Sequence, residues 1–323
     1  MDTANEKKGW GISLGSMFWN YGEHRLRAAW RLSATGIFTA ILTVVFGIPF
    51  FAASGGFPAP YVEKIVLYMA ALIAIVIAAR KLDRRPFSDT GIYFRRAWWI
   101  ELGFGLLLGA FLMTLVFLVE LSAGWITINE FFVTADKTQP FLMAILFPVL
   151  LNLIVGVVEE LMFRGYLLLN LAEGFNGPSV NPRVSVMIAW VLTSAVFGVA
   201  HALLPNATIV STINIVLAGI WLGLAYVFTG SLAASIGVHI TWNLFQGYVF
   251  GFPVSGGRDF ATTVIGIQQG GPDLWTGGAF GPEGGLLGLL GIVLGIALMA
   301  AWVRRRYDRL AIHSTIAKPP SVV

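Results

Sequence analysis

Eight stretches of about 20 mostly apolar residues, at 34–53, 61–80, 97–121, 140–171, 184–204, 208–229, 231–250 and 284–303, leave this chain one kind of architecture. Inside hydrocarbon, only helices and closed barrels satisfy every backbone N–H and C=O, and runs this long and this apolar are helical. The fold expected is therefore all-α, a polytopic transmembrane bundle of about eight spans with a cavity among them. Composition agrees. Charged residues make up 12% of the 323 positions and hydrophobic ones 57%, where a soluble domain carries about 25% charge. The stretch at 140–171 exceeds the bilayer's need, so it is expected to tilt or project, with Pro148 as a site for a kink.

Lysine and arginine placement orients the bundle. Arg80, Lys81, Arg84, Arg85, Arg95 and Arg96 cluster between the second and third spans, and Arg304, Arg305, Arg306 and Arg309 follow the eighth. The opposite connections hold little beyond Lys137 and Arg258. An even number of crossings with both termini cytoplasmic, in a cytoplasmic (inner) membrane, follows from this bias. Three regions are expected: an interfacial amphipathic region at 1–33, a transmembrane domain at 34–303, and a basic cytoplasmic tail at 304–323. In the first, Lys7, Lys8, Trp10, Phe18, Trp19, Arg25, Arg27, Trp30 and Arg31 alternate cations with rings, as a helix among lipid headgroups would. No cleavable signal peptide is visible, because the first apolar run starts only near Ala34. The net charge of +4 therefore concerns the bilayer and gives no reason to expect nucleic acid.

Span eight carries Gly284, Gly288, Gly291 and Gly295, a spacing expected to let helices approach closely. The glycine-rich connection from Gly251 to Glu283, with Asp259 and Asp273, reads as a lid or a flexible link. The chain has no cysteine, which excludes disulfides, thiolate metal sites and cysteine nucleophiles.

Within 140–171 the sequence Val157-Val158-Glu159-Glu160-Leu161-Met162-Phe163-Arg164 breaks the apolar pattern. Charge at membrane depth costs several kcal/mol unless paired or hydrated, so it marks function. Glu160 and Arg164 are four apart and share a helix face, so they are expected to pair. Glu159 points about 100° away and is left for proton transfer, with Asn152 and Gly156 extending its face. A salt-bridged staple is the alternative. Phe197 and His201 stand four apart in span five, and His239 and Asn243 four apart in span seven, each pair on one face. Histidine and glutamate together can activate water or, in a two-histidine, one-carboxylate set of Glu159, His201 and His239, hold a divalent metal such as zinc; the residues leave both open. Neutral Asn243 suits an oxyanion donor.

The ordered set Glu159-Glu160-x-x-x-Arg164, Phe197-x-x-x-His201 and His239-x-x-x-Asn243 resembles the three motifs of the CAAX protease and bacteriocin-processing family of intramembrane endopeptidases. The resemblance covers about 140–250, and Ser231-Leu232 ahead of the third motif is similar too. It implies that Glu159 with His201 activates the attacking water and that Glu160 and Arg164 support them. His239 and Asn243 would stabilise the oxyanion or complete a metal site. The implied substrate is a membrane-associated protein or peptide. Two other readings use the same residues: a non-catalytic membrane scaffold or immunity protein of this fold, and a proton-coupled transporter, disfavoured by the lack of an evident inverted repeat. Depth sets a condition. His201 lies about eighteen residues into its span, so the motifs meet only if that helix starts near residue 180, where Pro178 and Pro182 stand, or if span four is tilted.

Overall fold

The computed structural model describes residues 14–53, 59–257 and 262–320. Lys7, Lys8, Trp10, Arg258 and Asp259 lie outside the described residues. The chain begins with α1 (Leu14–Phe18) and a two-residue hairpin of β1 (Trp19–Asn20) and β2 (Arg25–Leu26). Then come α2 (Ala28–Ala53), α3 (Ala59–Lys81), α4 (Arg96–Ser122), β3 (Ile126–Val133) and α5 (Phe141–Glu160). A π-helical turn, Leu161–Leu168, joins α5 to α6 (Leu169–Phe175). α7 (Pro182–His201), α8 (Ile209–Thr229) and α9 (Ala233–Asn243) follow, and α9 continues as a second π turn, Leu244–Val249. β4 (Thr263–Gln269), α10 (Asp273–Thr276) and α11 (Leu286–Tyr307) complete the chain.

The protein is an all-helical membrane bundle, and among the described residues seven helices are long and apolar enough to cross a bilayer. The run Phe141–Phe175 counts as one of them; its 35 residues make a rod of roughly 50 Å against a hydrocarbon core of about 30 Å. The segment expected to span at 231–250 is different. α9 has 11 residues, every one from Ala233 to Trp242 buried, so it is the bundle's central helix and is walled by protein. Glycines on both sides bring α4 and α9 into backbone contact: a Cβ on Gly105 would sit 2.2 Å from the Ala234 carbonyl oxygen, and one on Gly237 2.5 Å from that of Leu102. This is the small-residue packing that holds helices together in lipid, where the hydrophobic effect gives no drive. The glycines of α11 serve another end. Gly291 and Gly295 make room for the indole rings of Trp242 and Trp221.

Two expectations from the sequence are revised here. Among the described residues the expected headgroup region is not one helix but α1, the β1–β2 hairpin and the start of α2, and two of its cations point inward. Arg25 and Arg31 are buried; Arg31 meets Asp83 at 3.1 Å and Glu173 at 2.7 Å, Arg25 meets Glu173 at 2.9 Å, and Arg85 pairs with Glu173 as well. This ionic cluster fastens the N-terminal hairpin and the end of α3 to the end of α6. Nor is 251–283 a plain glycine-rich link. β4 pairs antiparallel with β3, from Ile126 opposite Gln269 to Val133 opposite Thr263, with the register irregular between Ile128 and Glu130. Gln269 Nε2 donates to the buried Glu120 at the end of α4 at 2.9 Å, tying this ribbon to the bundle.

Candidate active site

Local rules put the histidine helix where the chemistry needs it. Asn181 accepts hydrogen bonds from the N–H groups of Arg183 and Val184 at 3.1 Å, and Pro182 takes the first helical position, so α7 starts there. Twenty residues later His201 is its last residue. The condition on depth is thereby met: Glu159, His201, His239 and Asn243 line one cavity of about 770 Å³. Ser231 and Leu232 open α9 at the other end, with the Ser231 hydroxyl accepting from the Ala233 N–H at 3.3 Å.

Glu160 is the buried member of the carboxylate pair. Its side chain has no exposure, and Oε1 receives both Arg164 Nη1 at 2.9 Å and His239 Nδ1 at 2.8 Å. Arg164 donates onward to the Gly219 carbonyl at 3.2 Å and lies over the Phe197 ring at 4.6 Å. An unpaired charge here would be costly, and this chain of contacts leaves neither ion alone. Because Nδ1–H of His239 donates to Glu160, its Nε2 is turned to the cavity.

Glu159 is the accessible member, its side chain 13% exposed. Its Oε2 faces His239 Nε2 at 3.7 Å, and its Oε1 accepts from the Tyr68 hydroxyl on α3 at 2.6 Å. The partnerless carboxylate that helical geometry suggests therefore has a partner from a helix the motifs do not include. His201 donates Nδ1–H to the Phe197 carbonyl at 2.8 Å, which leaves its Nε2 for the cavity. The Phe197 ring packs against His201 at a tilt, centroids 4.5 Å apart, and meets His239 edge-on at 6.3 Å, so it stands between the imidazoles. No hydrogen bond or ion pair joins His201 to Glu159 among the described residues, whereas His239 Nε2 stands 3.7 Å from that carboxylate. Asn152, expected on the Glu159 face, donates to the Ile240 carbonyl at 2.9 Å and locks α5 to α9.

A metal reading needs Glu159, His201 and His239 around one point. Among the described residues no three His, Asp or Glu side chains stand close enough to share an ion. The donor set does not fit a preassembled two-histidine, one-carboxylate centre.

Both motif helices change pitch beside their functional residues. The π turns at Leu161–Leu168 and Leu244–Val249 begin directly after Glu160 and Asn243. A π turn re-phases the helix, and such turns recur at functional sites. Gln246 on the second turn donates to the Pro253 carbonyl at 2.6 Å and to the buried carboxylate of Glu283. Glu283 also accepts from the N–H of Ser255 at 2.6 Å and from its hydroxyl at 3.1 Å. Burial pushes this carboxyl up to about 7 despite those donors. Asn129, Glu130 and Val133 of β3 and Thr263, Gly266 and Ile267 of β4 line the cavity, so the ribbon is one of its walls. Neither Tyr68 nor Glu283 stands out in the sequence, one being one of two tyrosines in the apolar run 61–80 and the other a glutamate in a glycine-rich connection.

Residues 141–245 match the family described as type II CAAX prenyl endopeptidase, Rce1-like. That interval contains all three motifs and ends two residues after Asn243. No curated protein and no solved structure is similar enough to match the chain.

Proposed function

We propose that this integral membrane protein is an endopeptidase that hydrolyses a peptide bond of a membrane-associated protein or peptide, a reading supported by the match of residues 141–245 to the Rce1-like type II CAAX prenyl endopeptidase family. The observation that supports this reading best is the division of labour in the carboxylate pair: Glu160 is sealed against Arg164 and His239, while Glu159 faces a cavity shared with His201, His239 and Asn243. Hydrolysis requires water, hydrocarbon excludes it, and a cavity that carries Glu159, His201, His239 and Asn243 in a largely apolar lining supplies the place.

In the proposed mechanism Glu159 takes a proton from a cavity water, with the open Nε2 of His201 as the second polar group on that water. The water oxygen bonds to the scissile carbonyl carbon. Nε2–H of His239 in its protonated form and the Asn243 amide donate to the oxyanion so formed. The carbon–nitrogen bond then breaks as the amine leaves with the proton passed back from Glu159. Glu160 holds His239 by Nδ1, fixing the ring as a carboxylate fixes a catalytic histidine elsewhere. Membrane-anchored CAAX-type peptides are the first substrates to try, and the apolar lining that includes Leu67, Met162 and Leu222 suits an acyl or prenyl group beside the peptide.

The test is cleavage of fluorogenic peptides, with and without a lipid-modified cysteine, by purified protein in detergent or bilayers. Glu159→Ala and His201→Ala are each expected to lose about a hundredfold or more in kcat/KM. If both cleave as well as the parent, the mechanism is wrong; if the parent cleaves nothing, the scaffold reading takes its place. Activity is expected to survive exhaustive chelation, because the donors do not assemble around one point.

A further inference from the structure

We propose that Tyr68 is a positioning residue of this active site, supplied by α3 from outside the segment that carries the family motifs. The inference rests on the peptidase reading above and deepens it. Tyr68 lines the cavity together with Glu159, and its hydroxyl donates to Glu159 Oε1 at 2.6 Å, a short bond of the charge-assisted kind. Nothing in 141–245 supplies this contact, since Tyr68 lies more than seventy residues before that interval begins.

The geometry says what the bond does. A glutamate side chain has three rotatable bonds, and a base gains its advantage only when its lone pair is aimed. Tyr68 occupies Oε1, and the remaining oxygen, Oε2, is directed at His239 Nε2 across 3.7 Å. That separation is too long for a direct hydrogen bond, so Oε2 keeps its lone pairs for a molecule in the cavity. With one oxygen held and the other turned to the cavity, Glu159 presents a single acceptor beside the open face of His239. Glu160 is held in the same manner on the opposite side of that ring, by Arg164. The two carboxylates thus each have a donor of their own and share His239 between them.

A purely structural role would have Tyr68 do no more than satisfy a carboxylate at membrane depth, and the two roles separate experimentally. Tyr68→Phe keeps the ring and removes the hydroxyl. On the best-cleaved fluorogenic peptide its kcat is expected to fall at least tenfold with KM within about twofold of the parent. A ring-fluorinated tyrosine at this position, which keeps the hydroxyl as donor, is expected to restore turnover. A measurement independent of turnover accompanies it: the fluorine NMR resonance of that residue is expected to shift when Glu159→Gln is added. Unchanged kcat in Tyr68→Phe, while Glu159→Ala is inactive, overturns the inference and leaves the peptidase reading standing. A fluorine resonance indifferent to Glu159→Gln overturns it also. Full activity in Glu159→Ala would instead bring down the peptidase reading, and with it the role given to Tyr68.

Discussion

At the residue scale, the site is a problem of keeping two adjacent carboxylates apart in chemistry while they sit side by side in sequence. Helix geometry turns Glu159 and Glu160 about 100° from each other, and the neighbours do the rest. Glu160 Oε1 receives a guanidinium and an imidazole, whereas Glu159 receives a phenol and keeps an oxygen toward the cavity. Removing Glu160 should therefore read out as loss of structure first. Glu160→Ala leaves Arg164 buried without its carboxylate and is expected to destabilise the protein by about 3–5 kcal/mol, seen as a lower unfolding midpoint in detergent. A variant that kept full stability and lost only cleavage would exchange the roles of the two glutamates. The Glu160–Arg164 pair was legible in the sequence because i,i+4 spacing is a local property. Tyr68 was not, since its contact spans 91 positions. The Arg25 and Arg31 pairings with Glu173 were hidden for the same reason, and their cations read as lipid-facing until the fold brought Glu173 to them.

At the scale of elements, the long helices followed from hydropathy alone, while the parts that shape the cavity came from features hydropathy does not report. The π turns after Glu160 and Asn243 leave no mark in a 3.6-residue pattern. The β3–β4 ribbon is assembled from two connections separated by five helices, so neither strand announces its partner. Glu283 links these devices, bonding at once to Gln246 on the second π turn and to Ser255 in the turn beside the ribbon. Its carboxyl is raised by burial from the usual 4.5 to about 7. The folded state then holds this proton more tightly than the unfolded chain does, so the stability it gives is complete below about pH 4.5 and is lost as pH rises toward 7. A shift of this size corresponds to at most about 3 kcal/mol. Glu283→Gln, which carries no titrating proton, is expected to flatten that part of the dependence. Unfolding midpoints of parent and variant between pH 4.5 and 8 should converge at the acid end and separate at the basic end; parallel curves would show that Glu283 does not titrate there.

At the scale of the molecule, α9 decides how many times the chain crosses. It is too short to be counted among the seven long apolar helices, yet together with its π turn it connects the segment between α3 and α4 to the ribbon. The Leu232 N–H at its start bonds the Gly91 carbonyl, beside the basic segment between α3 and α4, and Gly251 past its π turn abuts Ile265 of the ribbon. With α9 as a crossing, the basic ends of α3 and α11 lie on one side and the ribbon on the other. Side-chain contacts agree, since Arg306 reaches Glu101 near the start of α4 at 3.7 Å. Burying Arg25, Arg31 and Arg85 in ion pairs removes them from the orienting charge. Exposed Arg80, Lys81, Arg84, Arg95, Arg96 and Arg304 remain on that side, against Lys137 on the ribbon side. That excess favours a cytoplasmic location for both termini. The chain has no cysteine, so single introduced cysteines report without background. Thr138→Cys, between β3 and α5, is expected to react with a membrane-impermeant maleimide on intact bacterial cells. Leu310→Cys, after α11, is expected to react only once the membrane is permeabilised. Labelling of both on intact cells would mean that α9 does not cross, because five helical runs separate the two positions with it and four without; the reverse pattern would invert the bundle and turn its ribbon wall to the cytoplasm.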